Sequence, residues 1–304
     1  MKDLTQGPVS RLLVAMAVPI AIGMLFQTLY FLVDLIFVSR LGDAAIAGVS
    51  TAGTVSFVIL ALTQMLGVGT VALVSQAAGR KDEAEANRVF NQSVLLSAVC
   101  GALTLAWGFL AGGAYVRWVA ADAAAATAGT AYLYWYTPGL ALQFALVAMG
   151  SALRGTGIVQ PTMVVQMLTV ILNTVLAPIL ISGWLTHHPF GTAGAGLASS
   201  IAVAFGVLCL WLYFRRLEHY IALHPRDWRP RWGLIGRILN IGLPAGGEFL
   251  MIFVILGVIY VVIRGFDIRN NTGVNDGSGV RILGAVVNGA QQETYGAGYG
   301  YAPR

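Results

Sequence analysis

VSTAGTVSFVILALTQMLGVGTVALVSQ, residues 49–76, contains no charged side chain. It is longer than the ~20 mostly apolar residues that a helix needs to cross a bilayer. The same character holds throughout the chain, since 57% of the 304 residues are hydrophobic, 10% are charged and the mean hydropathy is +0.76. A soluble domain carries about 25% charged residues. The composition therefore excludes an ordinary soluble domain and predicts an integral membrane protein.

Other stretches of the same kind lie on both sides of this one, and together they predict an all-α fold, a polytopic bundle of about seven transmembrane helices. The predicted spans are 12–38, 49–76, 92–116, 131–153, 158–182, 193–214 and 237–263. The first is too long for the apolar core of a signal peptide, has no Ala-x-Ala-type cleavage site, and is followed at once by another span. We expect it to remain in the protein.

The positive charges between the spans predict the orientation. With a cytoplasmic amino terminus, twelve Lys and Arg residues fall in inner segments, whereas only Arg40, Arg117 and Arg264 fall in outer ones. The positive-inside rule then predicts a multi-pass protein with its amino terminus in the cytoplasm. Because these charges set topology, the net charge of +5 does not indicate a nucleic-acid partner; the expected surroundings are the lipid bilayer.

A weak internal repeat predicts the domain organisation. RILNIGLP (237–244) echoes LLVAMAVP (12–19), so the seventh helix resembles the first helix of a second repeat, as in secondary transporters with a substrate cavity between two halves. Beyond it the chain turns rich in Gly and Asn, which suggests a truncated or frameshifted reading frame. The predicted segments are a six-helix lobe (1–216), a cytoplasmic linker (217–236), the first helix of an incomplete second lobe (237–263) and a polar, disordered Gly-rich tail (264–304).

Polar side chains inside two predicted helices are the first candidates for function. Gln27, Tyr30 and Asp34 follow one another at i, i+3 and i+7, which places them on one face of the first helix. An acid at membrane depth costs at least ~2.5 kcal/mol and so indicates a functional site. The alternative is that Asp34 lies near the interface, where it is solvated or hydrogen-bonded to neighbouring backbone.

The fifth helix carries a matching stripe of Gln166, Thr169 and Asn173. Both helices run in the same direction, so we expect Asn173 and Asp34 in the same half of the bilayer. A carboxylate facing an amide and hydroxyls could take up H⁺ or coordinate Na⁺. For Gln166 and Thr169 alone, ordinary hydrogen bonding between helices is the favoured interpretation. Glu248, well inside the seventh helix, is a second candidate for the cation or proton site.

Motifs of enzymes and cofactor sites are not found. His187 and His188 adjoin a proline in an outer loop without metal-ligand spacing, and Cys100 and Cys209 lie singly in apolar stretches. No cofactor or metal is therefore expected beyond the coupling ion. An intramembrane enzyme or receptor is the last-ranked interpretation.

Four motifs in order along the chain carry a family resemblance: VDLIFVSRLG (33–42), GTVALVSQAAG (69–79), ALRGTG (152–157) and LNTVLAP (172–178), followed by small residues from Gly194. In these the sequence resembles the multidrug and toxic compound extrusion (MATE) family. The resemblance implies two six-helix lobes around a central cavity, and exchange of H⁺ or Na⁺ for small organic, often cationic and aromatic, drugs.

The resemblance also implies roles for particular residues. Asp34 matches the family's helix-one carboxylate and Asn173 its helix-five asparagine, with Gln27, Tyr30, Gln166 and Thr169 expected to shape the substrate cavity. Ala177 departs from the pattern, because many members carry an aspartate there. Alanine in its place would remove one oxygen ligand from an ion site. Glu248 resembles acids found in helix seven of relatives.

The resemblance therefore implies a secondary antiporter for multidrug efflux in the plasma membrane, the inner membrane of a bacterium, and not an enzyme. The alternative is a truncated or frameshifted, non-transporting membrane fragment of such a transporter, because the resemblance covers only the first lobe and one further helix. Self-association is expected if a single lobe is functional.

Overall fold

A computed structural model describes residues 36–183, 190–216, 220–222 and 228–270, together with 17–18, 21–23, 25–26 and 29. The regular structure in these residues is entirely helical, and the described positions from 17 to 39 are helical too. The helices that follow are α1 (Asp43–Gly79), α2 (Glu83–Leu110), α3 (Gly112–Val119), α4 (Ala123–Gly155), α5 (Gln160–Ser182), α6 (Gly191–Arg216) and α7 (Trp232–Asn270).

Six of these helices are long and apolar enough to cross a membrane: α1, α2, α4, α5, α6 and α7, the last as far as Ile255. This confirms the predicted all-α membrane bundle. Most of the first predicted span, 12–38, lies outside the described residues, so six of the seven predicted spans are observed. The tail after residue 270 lies outside them as well.

The helix ends differ from the predicted span limits because capping groups, and not hydrophobicity, decide where a helix begins. The side chain of Asp82 accepts a hydrogen bond from the backbone N–H of Glu85 (3.0 Å), so α2 begins well before the apolar stretch at 92. Asp122 caps α4 in the same way through the N–H of Ala125 (2.7 Å). The predicted span 92–116 is divided at Ala111 between α2 and the short helix α3.

Helix α4 is the centre of the bundle, because it packs against α1, α2, α3, α5 and α6. Its large buried side chains include Leu133, Phe144 and Leu153. Where α4 crosses α1, Gly129 lies directly over the backbone of Gly48, and a side chain on either residue would overlap the other helix. Small residues thus let these two helices approach at backbone distance.

Three buried amide side chains at the start of α2 hold the connection between α6 and α7; we call them the linker clasp (Asn87, Asn91 and Gln92). Asn87 donates to the carbonyl of Tyr220 (2.9 Å) and accepts from the N–H of Ala222 (2.8 Å), whose carbonyl accepts in turn from Asn91 (3.0 Å). The linker backbone therefore has partners inside the lobe, which a solvated tether would not need.

Gln92 holds the second half of the linker. Its Nε2 donates to the carbonyl of Arg229 and its Oε1 accepts from the N–H of Arg231, both at 2.9 Å. Burial raises the pKa of the nearby Tyr220 phenol, and the carboxylates of Glu83 and Asp82 raise it further, so the phenol remains neutral beside them. The described linker residues are thus fixed to α2 immediately before α7 begins.

The chain divides into two compact units, Met1–Phe249 and Leu250–Arg304. In the first unit, α7 packs on α1 where Gly242 meets the backbone of Met65 so closely that a Cβ atom would overlap the Met65 carbonyl. In the second unit the described residues are the rest of α7, and several of its apolar side chains are exposed, among them Met251, Val254 and Val258.

Candidate functional site

Asn173 lies on α5 and is fully buried. Its Nδ2 donates to the hydroxyl of Ser199 on α6 (3.2 Å), and Ser199 is itself buried. An amide bonded to a hydroxyl inside an apolar bundle is a neutral polar pair, and both groups have further donor or acceptor capacity. We call it the Asn173–Ser199 pair.

The other predicted residues of the α5 stripe lie one and two turns earlier. Thr169 is buried and its hydroxyl donates to the carbonyl of Gln166 (2.7 Å), whereas the Gln166 side chain is half-buried. The methyl group of Thr169 packs against Gly206 of α6. The contact between α5 and α6 at this level is thus one of close packing. The hydrogen bond that the Thr169 hydroxyl donates lies within α5, whereas the sequence had favoured one between helices.

Ala177 lies one turn after Asn173 and is also fully buried. Its methyl group occupies the position at which the MATE-like pattern would place a carboxylate. Any cation held beside the Asn173–Ser199 pair would therefore have one oxygen ligand fewer from α5.

A third polar contact joins α4 to α6 beside Pro138. The hydroxyl of Ser200 donates to the carbonyl of Trp135 (2.6 Å) and accepts from the N–H of Gly139 (3.0 Å). In a regular helix those two groups would be each other's i→i−4 partners, and Pro138 supplies no N–H of its own. Ser200 therefore satisfies backbone groups at the point where proline interrupts α4.

The remaining predicted site residues are not brought to this place by the described structure. Asp34, Gln27 and Tyr30 lie outside the described residues, so the carboxylate partner of Asn173 stays a prediction. Glu248 is exposed on α7, whereas Asn173 is buried between α5 and α6. In the part of the chain that the structure describes, no three His, Cys, Asp or Glu side chains lie close enough together to hold a metal ion.

Sequence reasoning missed Ser199, Ser200 and the linker clasp. Ser199 and Ser200 follow a Gly-rich stretch, and their small side chains can hydrogen-bond as well as pack closely. The i, i+4 and i+5 spacing of Asn87, Asn91 and Gln92 would have indicated a polar helix face.

Comparisons with known proteins agree with this architecture. Residues 19–179 match the model of the protein family MatE. The chain is 26% identical over 251 residues to the probable multidrug resistance protein YpnP of Bacillus subtilis, covering 82% of this chain and 55% of that protein. It is 29% identical over 247 residues to the probable multidrug resistance protein NorM of Xanthomonas campestris, covering 78% of this chain and 52% of that protein.

Solved structures show the same fold. A crystal structure of MATE in complex with MaL6 superposes with a TM-score of 0.79 at 28% identity, over 86% of this chain and 57% of that one. An outward-facing multidrug resistance MATE transporter gives 0.76 at 28% identity, over 85% and 57%. The chain spans about half the length of the curated relatives it matches. With its six apolar helices, it is a multi-pass membrane protein.

Proposed function

Since the chain belongs to the MatE family, we propose that it is the amino-terminal part of a secondary antiporter that exports small organic compounds in exchange for H⁺ or Na⁺. The family match over residues 19–179 carries this proposal, and the buried Asn173–Ser199 pair supports it by placing polar groups inside the lobe. We propose further that the protein lies in a bacterial inner membrane with a cytoplasmic amino terminus, and that its substrates are cationic and aromatic.

In this proposal Asp34 is the group that takes up the coupling ion. An ionised carboxylate in the lobe is an acceptor for the Asn173 amide, and protonation removes both the charge and much of that hydrogen-bond strength. Gln27, Tyr30, Gln166 and Thr169 are proposed to shape the substrate cavity around it. Glu248 on α7 is the second candidate for the ion site.

The buried methyl group of Ala177 favours H⁺ over Na⁺ as the coupling ion. A bound Na⁺ is held by several oxygen atoms, whereas a proton needs only one carboxylate oxygen. Loss of a ligand on α5 therefore weakens a sodium site more than a protonation site.

The test uses the purified full chain in lipid vesicles that carry either a pH gradient or a Na⁺ gradient, with a fluorescent cationic dye as substrate. We expect dye movement driven by the pH gradient and abolished by Asp34→Asn. Asp43→Asn is the matched control, since Asp43 is an exposed carboxylate in the first turn of α1. Unchanged transport by Asp34→Asn overturns the role of Asp34, and transport driven only by Na⁺ overturns the choice of ion.

A second candidate function follows from length, because the chain spans about half of each relative. For the sequence as it stands, the alternative is a folded, non-transporting membrane fragment of such a transporter. The same vesicles distinguish the two: a chain that inserts and folds but moves no dye under either gradient supports the fragment. Chemical cross-linking of active vesicles then reports whether two copies associate to complete the cavity.

A further inference from the structure

A cavity of about 700 Å³ opens between the end of α3 and the first three turns of α4. Its polar and aromatic lining comes from Arg117, Asp122, Thr127, Thr130, Tyr134 and Trp135. Helices α5 and α6 contribute no lining residue to it, so it is separate from the Asn173–Ser199 pair.

Gly113 on α3 lets two of these side chains meet. A Cβ atom at Gly113 would lie 3.4 Å from Cγ2 of Thr130 and 3.6 Å from Nη1 of Arg117, so both side chains lie over the same bare stretch of backbone. The Thr130 hydroxyl is buried and makes no hydrogen bond to the residues that the structure describes. Its oxygen is not accessible from the cavity, so Thr130 contributes only side-chain surface to the lining.

The cavity carries one charge of each sign. Arg117 is exposed and makes no ion pair with a described residue. Asp122 uses Oδ1 to cap α4, which leaves Oδ2 for a ligand. A guanidinium binds phosphate strongly, and a carboxylate with aromatic faces binds an ammonium group. The charges therefore fit a zwitterion that combines both groups, and they disfavour a purely anionic ligand, which Asp122 would repel.

The surroundings place this cavity where a membrane surface would lie. Trp118 is 85% exposed and Leu110 86% exposed, and Tyr134 and Trp135 also present their rings outward. Trp and Tyr concentrate at the boundary between hydrocarbon and headgroups. A ligand held here has its charged end beside Arg117 and Asp122 and its remaining part beside exposed apolar and aromatic side chains.

We propose that this cavity binds the headgroup of a zwitterionic phospholipid, with its phosphate on Arg117 and its primary ammonium group on Asp122. The proposed site does not depend on the transport function, so it is tested by measuring lipid binding directly.

The test measures lipid retained on the purified full chain by native mass spectrometry, from micelles containing equal amounts of phosphatidylethanolamine and phosphatidylglycerol. Arg117→Gln removes a charge-assisted hydrogen bond, so we expect it to lower phosphatidylethanolamine retention about tenfold. The control is Arg80→Gln, which removes an exposed cation in the turn between α1 and α2. Equal retention by the two variants overturns the proposal.

Two further variants distinguish a built site from a general attraction of lipid to a cation. Asp122→Asn keeps the capping oxygen of α4, and we expect it to abolish the preference for phosphatidylethanolamine over phosphatidylglycerol while the helix content stays unchanged. Thr130→Val is nearly isosteric and removes only a hydroxyl that a ligand does not reach, so we expect it to leave retention unchanged. An intact preference in Asp122→Asn contradicts the zwitterion assignment.

A competition experiment separates a lipid from a soluble zwitterion. We expect free phosphoethanolamine at millimolar concentration to leave the lipid in place, because the exposed apolar rim contributes to binding. Displacement by the free headgroup overturns the assignment to a lipid and identifies a site for soluble phosphoamines.

Discussion

Buried amides occur in two regions of the lobe, and they differ in what they bind. Asn173 donates to a side-chain hydroxyl of the neighbouring helix, whereas the linker clasp bonds to backbone groups of a segment more than 130 residues away in sequence. Asn91, Gln92 and Asn173 are all 0% exposed, so burial alone does not separate the two regions.

The type of partner indicates the role of each amide. A backbone N–H or carbonyl inside a protein must be paired in every state of the fold, so an amide that binds it is structural. A hydroxyl can rotate and accept a different donor, so an amide bound to it can exchange that partner for an ion or a carboxylate. The linker clasp should therefore govern stability, and the Asn173–Ser199 pair should govern activity.

The largest stability effect is expected from Gln92→Leu. It leaves the carbonyl of Arg229 and the N–H of Arg231 without their partner, and each lost group costs about 1–3 kcal/mol when it remains buried. We expect a loss of about 2–4 kcal/mol in the free energy of unfolding and faster tryptic cleavage in the linker. Gln76→Leu, at an exposed position of α1, is the control. If both variants have the same stability and cleavage rate, the linker clasp is not structural.

Ser200→Ala tests a structural hydroxyl and should have the next largest effect. It removes the group that satisfies the Trp135 carbonyl and the Gly139 N–H beside Pro138, which we expect to cost about 1–3 kcal/mol. The control is Ser75→Ala, because Ser75 is exposed and bonds only to its own helix at Ala72. Thermal unfolding in detergent measures both, and an unchanged midpoint for Ser200→Ala would show that α4 satisfies its own backbone at this point.

The sequence predicted the bundle but not its internal hydrogen bonds. Apolar length locates a span, since crossing a bilayer requires about 20 such residues whatever they contact. Asn87 and Asn91 lie just before the predicted span at 92, and nothing in the local sequence shows that a linker returns to cover them. Ser199 was missed for a similar reason, since its partner lies on another helix.

Ser199→Ala tests whether the Asn173–Ser199 pair affects transport more than it affects stability. It removes one hydrogen bond of a pair that keeps other partners, so the expected stability cost is only about 0.5–1.5 kcal/mol. Under the proposed function, however, we expect slower gradient-driven dye transport and a shifted dependence of the rate on pH, because Asn173 loses its alternative partner to the coupling carboxylate. Thr162→Val, on the same helix as Asn173 and bonded only within its own turn, is the control. A large stability loss with normal transport would show that the Asn173–Ser199 pair is structural, like the linker clasp.

The smallest effect on stability is expected from the ion pair that Glu85 forms close to the linker clasp. Glu85 at the start of α2 lies 3.7 Å from Arg237 of α7 and 3.2 Å from Arg88. The Arg237 side chain is 53% exposed, and exposed ion pairs contribute about 0–1 kcal/mol and less in high salt. We expect Glu85→Gln to change stability by no more than about 0.5 kcal/mol at moderate salt, with Glu83→Gln as a control for the loss of a first-turn carboxylate. An effect as large as that of Gln92→Leu would mean that charge, and not the pairing of buried backbone, holds α7 to the lobe.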